Sequence, residues 1–231
     1  MEQLPLGVRL RTTSSFSSFV PGENAAPVAA LEARAREPGL PPLWLWGAPG
    51  SGRTHLLQAS CARAGEARRR AGYLPLAAGW PDPAMLGGLE TLDLVCLDDL
   101  DGIGGDAAWQ RALFALYNEL AERGGNLVLS AGRPPQALEV ALPDLRSRLA
   151  ASIVWQLKPL AEAEQAAALQ ARARALGVEL GEETLQYLQR RLPRDFGALC
   201  DALDRLDGAA LAQQRRLTVP FVRAVLQLPA D

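Results

Sequence analysis

The stretch GAPGSGRT, Gly47 to Thr54, decides the reading of this chain. It follows the short apolar run LWLW, Leu43 to Trp46, and opens a segment from Thr54 to about Arg70 with helical patterning. Strand, glycine-rich turn and helix together form a cradle for an anion, because loop amides and the positive end of the helix dipole face one point. Gly47, Gly50 and Gly52 let the backbone curl, and Ser51 lies between the last two. The hydroxyl of Thr54 is placed to meet a magnesium ion beside a phosphate. Arg53 stands where the G-x-x-x-x-G-K-[ST] pattern has lysine. Its planar five-donor fork still grips phosphate but is bulkier than an ammonium, so the substitution favours holding a nucleotide over turning it over quickly.

A second stretch supports the first. LVCLDD, Leu94 to Asp99, is an apolar run fit for a strand covered on both faces, ending in two carboxylates. Asp98 at the strand's carboxyl end suits magnesium, directly or through water, since a nucleotide's phosphates need a divalent counter-charge. Asp99 follows, one methylene shorter than the water-orienting glutamate common at such a position. Two aspartates capping a turn would serve the same sequence without any ligand.

Working outward, strands are expected at Leu43–Trp46, Tyr73–Leu76, Leu92–Leu97, Asn126–Ser130 and Ile153–Leu157, with Pro75 placing the second at a sheet edge. Asn24–Arg36 reads as a helix closed by Pro38-Gly39. A further helix, capped by Asp106 and stopped by Gly124-Gly125, carries the stripe Trp109, Leu113, Leu116 and Leu120. The alternation predicts an α/β domain with a five-stranded, mainly parallel sheet over residues 21–158. From 159 to 231 the pattern is helical only, with helices at 161–176, Glu182–Arg191, Arg194–Leu206 and Thr218–Leu228, a lid of about 70 residues by these bounds. Residues 1–20, rich in Ser and Thr toward the end, read as an extended, partly mobile connector.

Composition narrows the function classes. The 231 residues are 48% hydrophobic and 22% charged with a formal net charge of -2, which is globular and gives no long-range reason to seek nucleic acid. Cys61, Cys96 and Cys200 are odd in number and set in apolar surroundings, and His55 is the single histidine. A disulfide framework or a zinc cluster therefore has no basis, and the thiols suit a reducing compartment. No signal peptide and no run of about 18 apolar residues is present, so the cytoplasm is the expected location, with no membrane contact. Trp44, Trp46, Trp109 and Trp155 read as packing anchors, Trp80 as a loop residue, and Arg68–Arg70 as a solvated cluster. Arg146 and Arg148, in PDLRSRL, and Arg194, in LPRDF, can each reach a phosphate from a loop or helix start, and each serves equally as a surface ion-pair residue.

Taken in order, FSSFVPGEN, LWLWGAPGSGRTHLLQA, GYLPL, VCLDDLDGIGGDAAWQRALFALYNEL, GRPP, LPDLRSRLA, RLPRDFGAL and RRLTVPFV resemble the DnaA branch of AAA+ proteins, and within it the Hda-like family that inactivates the replication initiator DnaA. The likeness spans nearly the whole chain. It implies an AAA+ P-loop domain with a helical lid, and Arg53 is compatible with it. It further implies that Phe19 and Val20 lie near the adenine, Gly47 to Thr54 around phosphate, and Thr54 with Asp98 on Mg2+. Arg194 matches the second sensor arginine. Arg148 matches an arginine finger that acts in trans on ATP held by DnaA. Gln3, Leu4, Pro5 and Leu6 match a motif that docks on the β sliding clamp of DNA polymerase III, which brings DNA in only through the loaded clamp. ADP is the favoured nucleotide over ATP, and a homodimer is compatible. The chain departs at Gly132, where aspartate is common, which removes the side chain that would make the first-sensor contact. Initiators of this branch continue into a helix-turn-helix domain, whereas this sequence ends after the lid.

These implications describe a negative regulator of replication initiation with weak or absent turnover of its own. The alternative is a DnaA-like helicase loader or an autonomous AAA+ ATPase. A third reading is an accessory that tethers DnaA without provoking hydrolysis.

Overall fold

The computed structural model describes residues 14–76, 82–103, 105–192, 196–213 and 216–228. They form two compact units: one running through Ala48 and from Gly52 to Lys158, the other from Pro159 onward, with which the loop tip Pro49–Ser51 is grouped.

The first unit is built on five strands, β1 (Leu43–Gly47), β2 (Ala71–Pro75), β3 (Leu94–Asp98), β4 (Asn126–Ala131) and β5 (Ile153–Leu157). All pair in parallel, in the order β2-β3-β4-β1-β5. Pro75 has no amide to give a ladder, and the strand carrying it lies at the edge, as its sequence predicts. Both faces of the central strands are covered. Helices α1 (Ala25–Arg36) and α2 (Arg53–Glu66) bring Leu31, Leu56 and Leu57 against Leu43, Leu45, Leu94, Cys96 and Val128. On the opposite face, α3 (Ala107–Arg123) and α4 (Pro143–Ala150) bring Trp109, Leu113, Leu120, Leu145 and Leu149 against Trp44, Val95, Leu97, Leu127 and Leu129. Period-two alternation in the strands and three-to-four spacing in α3 thus sort apolar residues to either side of one sheet.

Several sequence-based boundaries move. Helix α2 stops at Glu66 rather than near Arg70, because Arg68 turns with φ 58° and the chain enters β2 at Ala71. Arg69 is not part of a solvated cluster: its guanidinium donates to the carbonyls of Arg34, Glu37 and Asp93 at 2.8, 2.9 and 2.9 Å, tying the start of β2 to the end of α1. PDLRSRLA forms helix α4, not a loop. Proline at its first position suits a helix start, and Leu145 with Leu149 buries its inner side. Residues 16–18, read as extended, make a single 3-10 turn capped by Ser15, and Ser14 Oγ donates to Gln58 Oε1 on α2 at 3.1 Å. Trp44 and Trp109 are buried as expected, while Trp80 lies outside the described residues. Cys61 and Cys96 are buried free thiols, and burial pushes the Cys96 thiol up.

Among the described residues, the second unit has four helices, α5 (Glu162–Ala175), α6 (Glu182–Arg191), α7 (Phe196–Gln213) and α8 (Val219–Leu226). Leu169, Leu185, Leu188, Leu199, Leu203, Leu206, Phe221 and Val222 form its core. Arg172 on α5 meets Asp204 on α7 in a two-pronged ion pair with three hydrogen bonds of 2.9 to 3.1 Å, fixing the register of those helices. Helix α7 runs seven residues beyond the expected end at Leu206, because Ala-rich sequence after Gly208 keeps helix-forming residues in place.

Candidate functional site: the phosphate loop and the β3 carboxylates

The loop of the opening stretch leaves β1 at Gly47 and enters α2 at Arg53. Gly50 and Gly52 have φ of 75° and 95°, in the left-handed region that side-chain-bearing residues avoid. Gly52 is required twice over. A Cβ there would fall 2.6 Å from Cε2 of Phe19, so that ring lies directly against the loop. Phe19 also packs at a tilt against His55, with centroids 5.7 Å apart, and His55 Nε2 pairs with the carbonyl of Ser15 at 2.9 Å. The FSSFV segment is therefore bolted to the start of α2, and Val20 is half-buried beside it in sequence. His55 has a structural partner, in keeping with its reading as non-catalytic.

Asp98, at the end of β3, is 1% exposed and gathers hydroxyls. Thr54 Oγ1 donates to its Oδ2 at 2.7 Å and Tyr73 Oη donates to the same oxygen at 2.8 Å, while Ser130 Oγ donates to Oδ1. The parallel registers explain the convergence. Pro75 pairs with Asp98 and Leu97 with Leu129, which brings β2 and the residue after Leu129 to the same end of the sheet. Burial and the negative charge of Asp98 hold the Tyr73 phenol well above its ordinary value, so it stays a neutral donor. Tyr73 and Ser130 were not among the site residues named from sequence. The available signal was their position at the carboxyl ends of strands flanking β3. An exposed threonine hydroxyl next to a buried carboxylate is the donor set Mg2+ accepts when phosphate and water supply the remaining oxygens. Among the described residues, no group of three or more His, Cys, Asp or Glu is arranged to hold a metal by itself.

Arg53 and Asp99 meet each other. Arg53 Nη2 lies 3.0 Å from Asp99 Oδ1, the two side chains being 13% and 37% exposed. Asp99 takes φ 58°, and burial, then its neighbours Asp98 and Asp101, raise its carboxyl above the ordinary value, with Arg53 opposing. Arg53 Nη1 is buried with no hydrogen-bond partner, and so is Ser51 Oγ. A buried guanidinium N–H without an acceptor is expensive, and an incoming anion such as phosphate would satisfy it. Gly132 belongs to the same cluster. Its N–H donates to Asp101 Oδ2, Arg133 Nε donates to Asp101 Oδ1 at 2.9 Å, and a Cβ on Gly132 would stand 3.3 Å from Asp101 Oδ2 and 3.7 Å from Arg53 Nη1. A methyl there would press on Asp101 and meet Arg53 at ordinary contact distance.

Of the remaining sequence-predicted residues, Arg148 is exposed on α4, with its guanidinium 5.5 Å from the centroid of the Tyr117 ring. Arg146 is exposed on the same helix. Arg194 and the clamp-motif residues Gln3, Leu4, Pro5 and Leu6 lie outside the described residues.

A parallel sheet in this order, a glycine loop between β1 and α2, a carboxylate at the end of β3 and a separate helical unit define an AAA+ fold. Comparison with known proteins agrees. Residues 86–156 match the family described as the bacterial DnaA ATPase domain, and residues 162–226 match the family described as Hda, lid domain. Domain III of the replication initiation protein DnaA from Thermotoga maritima superposes with a TM-score of 0.78 at 23% identity, over 95% of this chain and 98% of that one. AMPPCP-bound DnaA from Aquifex aeolicus gives 0.70 at 23% over 85% and 66%. The RuvB Holliday junction branch migration motor of Thermotoga maritima gives 0.67 at 16% over 95% and 73%. The chain thus has an AAA+ fold, and two of its segments are similar to the DnaA ATPase domain and the Hda lid respectively. No described helix is long and apolar enough to cross a membrane.

Proposed function

We propose that this protein is a negative regulator of chromosomal replication initiation that holds an adenine nucleotide with little turnover of its own and stimulates hydrolysis of ATP bound to DnaA. The observation that carries this reading is the contrast between Arg53, engaged by Asp99 inside its own site, and Arg148, exposed on α4 with no ion pair among the described residues. The Hda-type lid match and the AMPPCP carried by a structural neighbour support it.

In its own site, the loop N–H groups from Gly50 to Thr54 and the free Nη1 of Arg53 would receive phosphate, and Thr54 with Asp98 would hold Mg2+. When bound, the ion offsets phosphate charge. Asp99 is poorly suited to orient water, because its carboxylate is already committed to Arg53. ADP is favoured, since a third phosphate would add negative charge near Asp98, Asp99 and Asp101. Phe19 and Val20 are assigned to the adenine, and Arg194, which lies outside the described residues, to the nucleotide as its second sensor arginine.

On DnaA, water attacks the γ-phosphorus of bound ATP, the bond to the β-γ bridging oxygen breaks, and ADP and inorganic phosphate result. Arg148 spreads the charge that builds on the transferred group and the leaving oxygen. Gln3 to Leu6 tether the chain to the DNA-loaded β clamp, which raises its effective concentration near the initiator. The test is hydrolysis of ATP pre-bound to DnaA, with and without clamp loaded on DNA. Acceleration that requires both this protein and the clamp is expected; clamp-independent turnover of free ATP, with no effect on DnaA, would favour the autonomous ATPase instead.

A further inference from the structure

Arg148 is exposed, yet its guanidinium is not adrift. Leu145 and Leu149, each 1% exposed, anchor α4 to the core on either side of it in sequence. Asp144 stands four residues earlier, the spacing at which a helical ion pair forms, but no such pair is made among the described residues. Instead the guanidinium carbon lies 5.5 Å from the centre of the Tyr117 ring on α3. Tyr117 is itself 7% exposed and packed among the residues of the α3 face, so its ring is a fixed platform. The attraction between a cation and the negative face of an aromatic ring selects a subset of the many arginine rotamers without consuming the guanidinium's N–H donors. An ion pair with Asp144 would occupy some of those donors. Burial raises the Tyr117 phenol while Arg148 opposes, consistent with the two groups sensing one another.

We propose that Tyr117 is a positioning residue for Arg148: its buried ring holds the exposed guanidinium in a narrow orientation with the donors free, so that the arginine meets a phosphate of a partner already arranged. This rests on the reading of Arg148 as the group presented to DnaA-bound ATP. The consequence is specific, because prearranged geometry acts on the chemical step and not on the encounter.

The test is single-turnover hydrolysis of DnaA-bound ATP with loaded clamp, comparing wild type, Y117F, Y117M and protein with pentafluorophenylalanine at 117, whose ring keeps the shape but reverses the charge of the face. Y117F keeps the maximal rate within about 2-fold. Y117M and the fluorinated ring lower it by about 3- to 5-fold, the scale of one exposed cation–π contact, with the half-saturating concentration unchanged. Side-chain NMR of Arg148 reads the contact without any activity: ring-current upfield shifts of its methylene protons persist in Y117F and vanish in Y117M. Equal rates for wild type and the fluorinated protein, equal damage from Y117F and Y117M, or Arg148 resonances indifferent to Y117M would overturn the proposal. If R148A leaves the rate unchanged, the reading of Arg148 fails instead, and the NMR still decides whether Tyr117 holds it.

Discussion

Arg53 and Arg148 place the same guanidinium on two helices of one α/β unit and meet opposite surroundings. Arg53 is 13% exposed, with one arm on Asp99, whose carboxyl also feels Asp98 and Asp101, and one buried N–H without an acceptor. Arg148 is exposed on α4, with its guanidinium over the face of the Tyr117 ring and no ion pair among the described residues. A buried arginine facing carboxylates is suited to retaining a phosphate and unsuited to releasing a water-orienting base. An exposed arginine on a rigid helix is suited to lending charge elsewhere. Under the proposed function, this difference lets an AAA+ fold act outside its own site while keeping the loop that defines it.

The largest expected effect separates the two arginines. R148A lowers clamp-dependent hydrolysis on DnaA by about 1,000-fold, the lower range for loss of such a group, while nucleotide content and clamp binding of the variant stay at wild-type levels. Next is D98A, which removes the acceptor of Thr54, Tyr73 and Ser130 together. Retained nucleotide, measured by extraction from purified protein, falls by about 100-fold, and unfolding in urea shows a loss of about 2 kcal/mol from the hydroxyls left unpaired. G132D is smaller. Its carboxylate would capture Arg53 Nη1 and crowd Asp101, so a fluorescent ADP analogue binds about 10-fold more weakly, whereas G132A stays close to wild type.

The smallest effect is a matter of pH. The Asp99 carboxyl is raised above 3.8, chiefly by burial. The folded form therefore binds its proton more tightly than the unfolded form, and ionising Asp99 removes stability as pH rises from 3.8 through the raised value. D99N flattens that part of the stability-versus-pH curve of the nucleotide-free protein, measured as the difference between wild type and variant. An unchanged difference across the window would show that Arg53 fully offsets the burial of its partner.

Much of this arrangement is legible in the sequence where local rules decide it. GAPGSGRT specifies positive φ at Gly50 and Gly52, LVCLD a strand buried on both faces, and Gly124 the end of α3 in a left-handed cap. What escapes is set by neighbours far along the chain. Tyr73 and Ser130 reach Asp98 only because β2 and β4 flank β3 in a particular register. The Arg53–Asp99 pair and the clearance at Gly132 depend on three loops meeting at one end of the sheet. Helix α4 was hidden by its proline and mixed charge, and its formation depends on burying Leu145 and Leu149 more than on propensity. Arg69 looked solvated because a run of three arginines carries no sign of the three carbonyls that bind its middle member.

The most direct test of two arginines with separate jobs follows two nucleotides in one vessel. The protein is loaded with ATP carrying one label, DnaA with ATP carrying another, and both are mixed with clamp on DNA. The account predicts that the label on DnaA becomes ADP within the course of the reaction while the label on this protein is largely retained as ATP. Consumption of its own label first, with DnaA's ATP untouched, would contradict it.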